Sequence, residues 1–357
     1  MSTDHVGWLV LDSSLAIRIP LATLNFLIAL AGISGNIFVL HASIANSALK
    51  IDRISVVYLE SLAVSDILMS ISVYLTTGIT ILARRWIFGK EFCYFTKIAT
   101  MSAAYNETLA IAFLSIYRVW MLRKPPSARQ DINMKLVYVL AASLHFVGVG
   151  VVLLIHAAHP QWNILGNPAV DNCSYADLFI INVGEKNATH GHKSVSLIPT
   201  IAFVVVPMLI TVGTTALIFK VFLGYDHKMG RKHDRALRVI KLLLFVCVTF
   251  VLSYTALIIS SLYNTFRGSS PPVLRGIVNY FLAINVISNP FIYVVISPHF
   301  RGYLRQCGRR FKSVLKRRKP SVDLAPGAHS STFRRHSTFN KSGNSEDMVT
   351  NNVVRDE

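Results

Sequence analysis

Seven long apolar runs dominate this 357-residue chain. Residues 19–49, 136–170, 194–219, 242–266 and 276–300 contain no Lys, Arg, Asp or Glu. Residues 61–83 contain one such residue, Asp66, and residues 98–117 contain one, Glu107. Roughly 20 helical residues cross a hydrocarbon core of about 30 Å, so each run is long enough to span a membrane. A water-soluble helix would carry a charged outer face, whereas these runs are apolar all round. A segment in lipid must satisfy its backbone polar groups internally, and runs of this length do so as helices. The expected fold class is an all-α membrane protein, a seven-transmembrane helix bundle.

Charge then sets the orientation. The chain is 52% hydrophobic with mean hydropathy +0.47, yet carries 36 Lys+Arg against 18 Asp+Glu, a formal +18. A basic nucleic-acid binder spreads such charge over a polar surface; here 27 of the 36 basic residues follow spans one, three, five and seven. Basic residues mark the cytoplasmic side. The N-terminus is therefore expected outside and the C-terminus inside, at the plasma membrane, with no nucleic-acid partner. The first eighteen residues are polar and show no cleavable signal peptide. The expected organisation is an extracellular N-terminus over 1–18 and the bundle over 19–299. A short amphipathic juxtamembrane helix over 300–315 and a disordered tail over 316–357 follow.

Cysteines and sequons agree with that orientation. Cys93 and Cys173 both fall on the predicted outer, oxidising side, where a disulfide between them can persist. Asn172 and Asn187 head glycosylation sequons in the same outer loop. Asn106 heads a third sequon inside a span, and Asn340 a fourth in the tail; neither is expected to be reached. Cys307 follows span seven on a basic amphipathic stretch and is a palmitoylation candidate.

Several landmarks now occur in order. Gly35-Asn36 lies in span one and Leu62-Ala63-Val64-Ser65-Asp66 in span two. Trp86-Ile87-Phe88-Gly89 precedes Cys93, and Arg118 follows that cysteine by twenty-five residues. Pro207 lies in span five, and span seven ends Asn289-Pro290-Phe291-Ile292-Tyr293. Their joint order resembles the class A (rhodopsin-like) G-protein-coupled receptors over residues 19–312. The resemblance implies a receptor, not an enzyme. It would pass an extracellular ligand's signal to a heterotrimeric G protein at Arg118, with Asn289, Pro290 and Tyr293 in the activation machinery. Receptor kinases and arrestin are the further partners it implies. Ser321 and Ser337 follow basic residues, as basophilic kinases prefer. Anionic inner-leaflet lipids suit the basic cytoplasmic loops.

Departures from the family pattern carry information. Tyr117 stands before Arg118, where relatives have a carboxylate, which implies raised basal signalling. Span six lacks Cys-Trp-x-Pro; aligned by eye, Phe250 takes the Trp place and Leu252 the Pro place. Glu107 lies eleven residues before Arg118, on the face expected to look at Asp66. Asn36, Asp66, Asn285 and Asn289 read as one buried polar network, since such groups in hydrocarbon must face a polar interior. Two adjacent carboxylates in low dielectric cannot both ionise cheaply. Asp66 and Glu107 are thus expected to share a proton or to bind Na⁺, the only metal ion implied. A permanently protonated Glu107 donating a hydrogen bond is the simpler alternative.

Two ligand classes are disfavoured. Thr100 stands where amine receptors carry an aspartate, and Ala283 where opsins carry the retinal lysine, so no covalent retinal cofactor is expected. Thr100, Met101, Ala104, Tyr254, Leu257, Arg275 and Asn279 are the candidate pocket residues. Basic outer-loop residues suit a peptide or a small lipid-like, anionic ligand. A transporter or a cation or proton pathway is the rival class, although no internal repeat supports it.

Overall fold

The structure is a computed structural model that describes residues 14–45, 53–123, 132–158, 198–223, 231–267 and 272–317. These residues form eight helices. They are α1 (Leu15–Ala45), α2 (Arg53–Ala83), α3 (Gly89–Arg123), α4 (Met134–Ala158), α5 (198–223), α6 (Arg231–Arg267), α7 (Pro272–Ile296) and α8 (Pro298–Arg317). Six of them (α1, α2, α4, α5, α6 and α7) are long and apolar enough to cross a membrane. The 35-residue α3 has the length but is less apolar, because it turns Thr96, Thr100, Ser102, Asn106, Glu107 and Thr108 inward. The chain divides into two units, residues 1–309 and 310–357; the bundle lies in the first, and residues 310–317 end α8.

Local chemistry sets several boundaries. Arg84, in the left-handed conformation at φ 61°, ends α2, and Gly89 at φ 76° opens α3. The Trp86 indole donates to the Gly89 carbonyl at 2.7 Å and ties that turn down. Asn133 caps α4, its side-chain oxygen accepting from the Lys135 amide at 3.0 Å. Arg18 reaches carbonyls at the end of α2, those of Ile81 and Leu82, at 3.5 Å each. Those orphan helix-end acceptors thereby gain a charged donor.

Packing follows a closed ring: α1 on α2, α2 on α3 and α4, α3 on α5, α5 on α6, α6 on α7, and α7 back on α1. The α3–α4 contact is close because position 148 is glycine. A Cβ there would lie 2.5 Å from the Ser102 Cα. The outward faces are apolar: Phe146, Leu154 and Phe291 are 73%, 71% and 67% exposed. Such a belt suits lipid and would be an association hazard in water.

Two prolines free backbone carbonyls, and other helices satisfy them. Pro290 has no N–H for the Val286 carbonyl four residues earlier; the Asn36 amide of α1 donates there at 3.3 Å. Pro207 likewise offers nothing to Phe203, and the Thr108 hydroxyl of α3 donates to that carbonyl. Just before Pro207, α5 contains a π-helical turn over Ile201–Val205; α2 contains one over Ser70–Leu75. Inserted turns of this kind shift which residues face inward on either side.

Candidate functional site

The polar residues of four helices meet at mid-bundle. Asp66 (α2), Glu107 (α3), Asn285 and Asn289 (α7) are all essentially inaccessible. The Asn289 amide donates to Asp66 Oδ2 at 3.0 Å. Glu107 Oε2 accepts from Asn285 Nδ2 and from the Tyr254 hydroxyl of α6, both at 2.8 Å. Asn285 and Asn289, one turn apart on α7, thus bind Glu107 and Asp66 in one cluster.

One oxygen on each member of the cluster remains without a donor: Asp66 Oδ1, Glu107 Oε1, Asn285 Oδ1 and Asn289 Oδ1. A buried acceptor left bare costs about 1–3 kcal/mol. Four of them in one cluster form an all-oxygen set that a proton, ordered water or a hard monovalent cation would relieve. The donor chemistry therefore fits Na⁺.

Tyr254 corrects the reading of span six. Phe250, expected at the tryptophan place, is fully buried but sits one turn from the carboxylates, its ring 4.8 Å from that of Tyr254. Leu252, expected at the proline place, is 49% exposed on the outer face. Tyr254 is the aromatic over the polar cluster. Ser253-Tyr254-Thr255-Ala256 then stands where Cys-Trp-x-Pro is usual, a match of spacing that the missing Trp and Pro disguised. The Tyr254 hydroxyl donates to Glu107 and lies 3.3 Å from the Ala104 carbonyl, while its ring stays among the candidate pocket residues.

The other pocket candidates line the inner face toward the outer end. Thr100, Met101, Ala104, Leu257 and Asn279 are buried. Thr100 shares a 3.0 Å hydrogen bond with Ser72, and the Asn279 carbonyl accepts from the Tyr74 hydroxyl at 2.8 Å. The Arg275 side chain lies outside the described residues. Sequence reasoning missed Lys97, which is only 5% exposed and one turn outward from Thr100 on the same face of α3. Its three-residue spacing from Thr100 was the available signal.

At the opposite end, Arg118 lines a small cavity with Leu62, Ile111, Val246, Cys247 and Tyr293 among its neighbours. Tyr117 is half-buried, its ring stacked 5.9 Å from Trp120. Tyr293 packs at 5.9 Å against Phe300 of α8. A second missed cluster stitches α2, α3 and α4. Asn106 donates to Ser65 at 2.7 Å and to Ser61, and Ser61 lies 3.2 Å from His145 Nε2. His145 thus offers a polar ring on span four, which lacks its usual Trp. Asn106, fully buried, is no glycan acceptor.

Cys93 is disulfide-bonded, while Cys247 and Cys307 are free thiols. Cys173, Asn172, Asn187, Ser321 and Ser337 lie outside the described residues.

A seven-helix bundle with this polar core and an Arg near the C-terminal end of α3 defines a membrane receptor class, and residues 35–293 match the family model of the 7 transmembrane receptor (rhodopsin family). The chain belongs to that family, whose members are receptors rather than enzymes. It is similar to the histamine H2 receptors of Homo sapiens and Pongo pygmaeus, each 23% identical over 313 residues, covering 82% of this chain and 80% of the relative. It is also similar to the C3a anaphylatoxin chemotactic receptor of Danio rerio, 20% identical over 311 residues, covering 84% and 78%.

Proposed function

We propose that the protein is a plasma-membrane receptor, N-terminus outside, that passes the binding of an extracellular anionic ligand to a heterotrimeric G protein. The observation that carries the coupling is the Arg118 cavity, where α2, α3, α5, α6 and α7 converge at their inner ends. A screen of acidic peptides and lipid-like acids, read as nucleotide exchange on a G protein, tests it. Arg118→Ala is expected to abolish the response while surface expression persists; an unchanged response would sink the coupling role.

Support for an anionic ligand comes from Lys97, a buried cation toward the outer end of the bundle that also has a contact within the protein. Thr100, in place of an amine-pairing aspartate, hydrogen-bonds within the protein and offers no carboxylate to an ammonium. The similarity to receptors named for histamine is therefore not read as a histamine site. Lys97→Gln is expected to weaken an acidic agonist about tenfold or more, the order of one charge-assisted contact. A neutral agonist would be spared. Equal loss for both would remove Lys97 from recognition.

Asp66 and Glu107 would hold Na⁺ or share one proton, with Asn285 and Asn289 supplying the remaining oxygens. Glu107→Ser is expected to flatten the sodium and pH dependence of basal signalling; unaltered curves would refute it. Tyr117 stands where relatives carry a carboxylate, and on that departure from the family pattern basal signalling is raised and Tyr117→Asp lowers it. A bridge from Cys93 to Cys173, glycans at Asn172 and Asn187 and a palmitoyl group on Cys307 belong to the same reading. So do phosphorylation of Ser321 and Ser337 by receptor kinases, arrestin recruitment and anionic inner-leaflet lipids. A transporter or cation pathway would instead show currents or uptake.

A further inference from the structure

We infer that Tyr254 and Glu107 form a hydrogen-bond latch that holds α6 against α3 and keeps the cytoplasmic cleft shut. Three observations converge on it. The Tyr254 hydroxyl donates to Glu107 Oε2 at 2.8 Å, a direct link from α6 to α3 inside a fully buried cluster. Asn285 of α7 donates to that same oxygen at 2.8 Å, so one acceptor gathers three helices. Further toward the cytoplasm, Val246 and Cys247 of α6 wall the cavity that contains Arg118. A protein partner reaching Arg118 from the cytoplasm must push them aside.

The device is particular to this sequence. A tryptophan at position 254 would fill the space but has only an N–H on a different vector, and a small residue at position 107 would offer no reaching acceptor. Here α6 also has no proline to pre-bend it, since Ala256 stands at that place and α6 runs unbroken from Arg231 to Arg267. A continuous helix with no proline hinge moves largely as one body. A single strong contact at mid-length therefore restrains its inner end. In low dielectric a hydrogen bond into a carboxyl group is worth more than at the surface. Phe250, 4.8 Å from the Tyr254 ring, carries the restraint one turn further inward. In this role Tyr254 is a positioning residue that acts through the placement of α6.

The inference deepens the proposed signalling role but can be tested without it, because Cys247 is a built-in reporter. Its thiol is buried in the shut cleft, Cys93 is disulfide-bonded, and Cys307 can be removed as Cys307→Ser. The full-length Cys307→Ser receptor in lipid nanodiscs is treated with a small maleimide, and Cys247 modification is timed by mass spectrometry. Tyr254→Phe, which keeps the ring and removes only the hydroxyl, is expected to raise the rate about tenfold, the order of one hydrogen bond. Glu107→Leu should do the same, and the double variant should be no faster than the faster single. Glu107→Gln keeps a carbonyl oxygen for the hydroxyl and should label more slowly than Glu107→Leu, a rescue that a merely structural role does not predict.

A Tyr254→Phe rate equal to the parent overturns the latch. So does a double variant whose effect multiplies the singles, or a Glu107→Gln rate as high as that of Glu107→Leu. G-protein nucleotide exchange on the same samples separates the two readings. Faster labelling with unchanged exchange upholds the latch and removes the G-protein role; faster exchange with unchanged labelling removes the latch and leaves that role standing.

Discussion

At the scale of single residues, the bundle depends on polar side chains that serve backbone groups of other helices. Asn36 is the clearest case. Its amide bonds Gly32 O within α1 at 2.9 Å and, across the interface, the Val286 carbonyl that Pro290 leaves without a partner. Asn36→Leu, close in shape, is expected to lower stability by about 1–2 kcal/mol, the cost of stranding a buried acceptor. In a Pro290→Ala background the backbone N–H returns, so the same substitution should cost less than half as much. Thermal denaturation of the four proteins in detergent makes the comparison. Equal costs in both backgrounds would show that Asn36 acts by something other than the freed carbonyl.

At the scale of elements, how closely two helices approach is decided by which side chains are missing. A Cβ on Gly148 would sit 2.5 Å from the Ser102 backbone, whereas one on Gly150, two residues on, would meet nothing within 4 Å. Gly148→Ala should therefore force α4 away from α3 and cost about 1–3 kcal/mol. Gly150→Ala should be neutral or slightly stabilising through helix propensity. Matching thermal shifts for the two would refute the packing argument. The existence of the helices was legible in the apolar runs, and the Asp66–Glu107 juxtaposition in an ungapped spacing along one helix. What the sequence concealed depends on partners elsewhere in the chain. The π-helical turns of α2 and α5 change the facing of residues without any mark in composition. The His145–Ser61–Asn106 stitch joins three separate helices. Tyr254 was placed one turn off because span six has neither of the residues that would anchor its alignment, and only its contact with Glu107 fixes the register.

For the whole molecule, the same charge excess that could suggest a nucleic-acid binder works as a topological instruction. The apolar belt of exposed Leu, Ile and Phe side chains fixes where lipid lies, but it has no polarity of its own and fits either orientation. Direction comes from the segments outside it, where 27 of 36 basic residues fall on one side. Near an anionic leaflet each is worth about 1 kcal/mol, so an inverted chain would forfeit far more than any single contact in the bundle provides. The charge asymmetry favours the orientation proposed above, with Asn187 outside and Asn340 inside. Expressed in cells that glycosylate, the protein should lose a glycosidase-sensitive mass step on Asn187→Gln and keep it on Asn340→Gln. A C-terminal epitope should be stained only after permeabilisation. Staining of intact cells, or a glycan lost with Asn340→Gln, would place the basic face outside. Arg118 and its cavity would then open away from any G protein, so the coupling role depends on this charge asymmetry as directly as on the residues of the cleft.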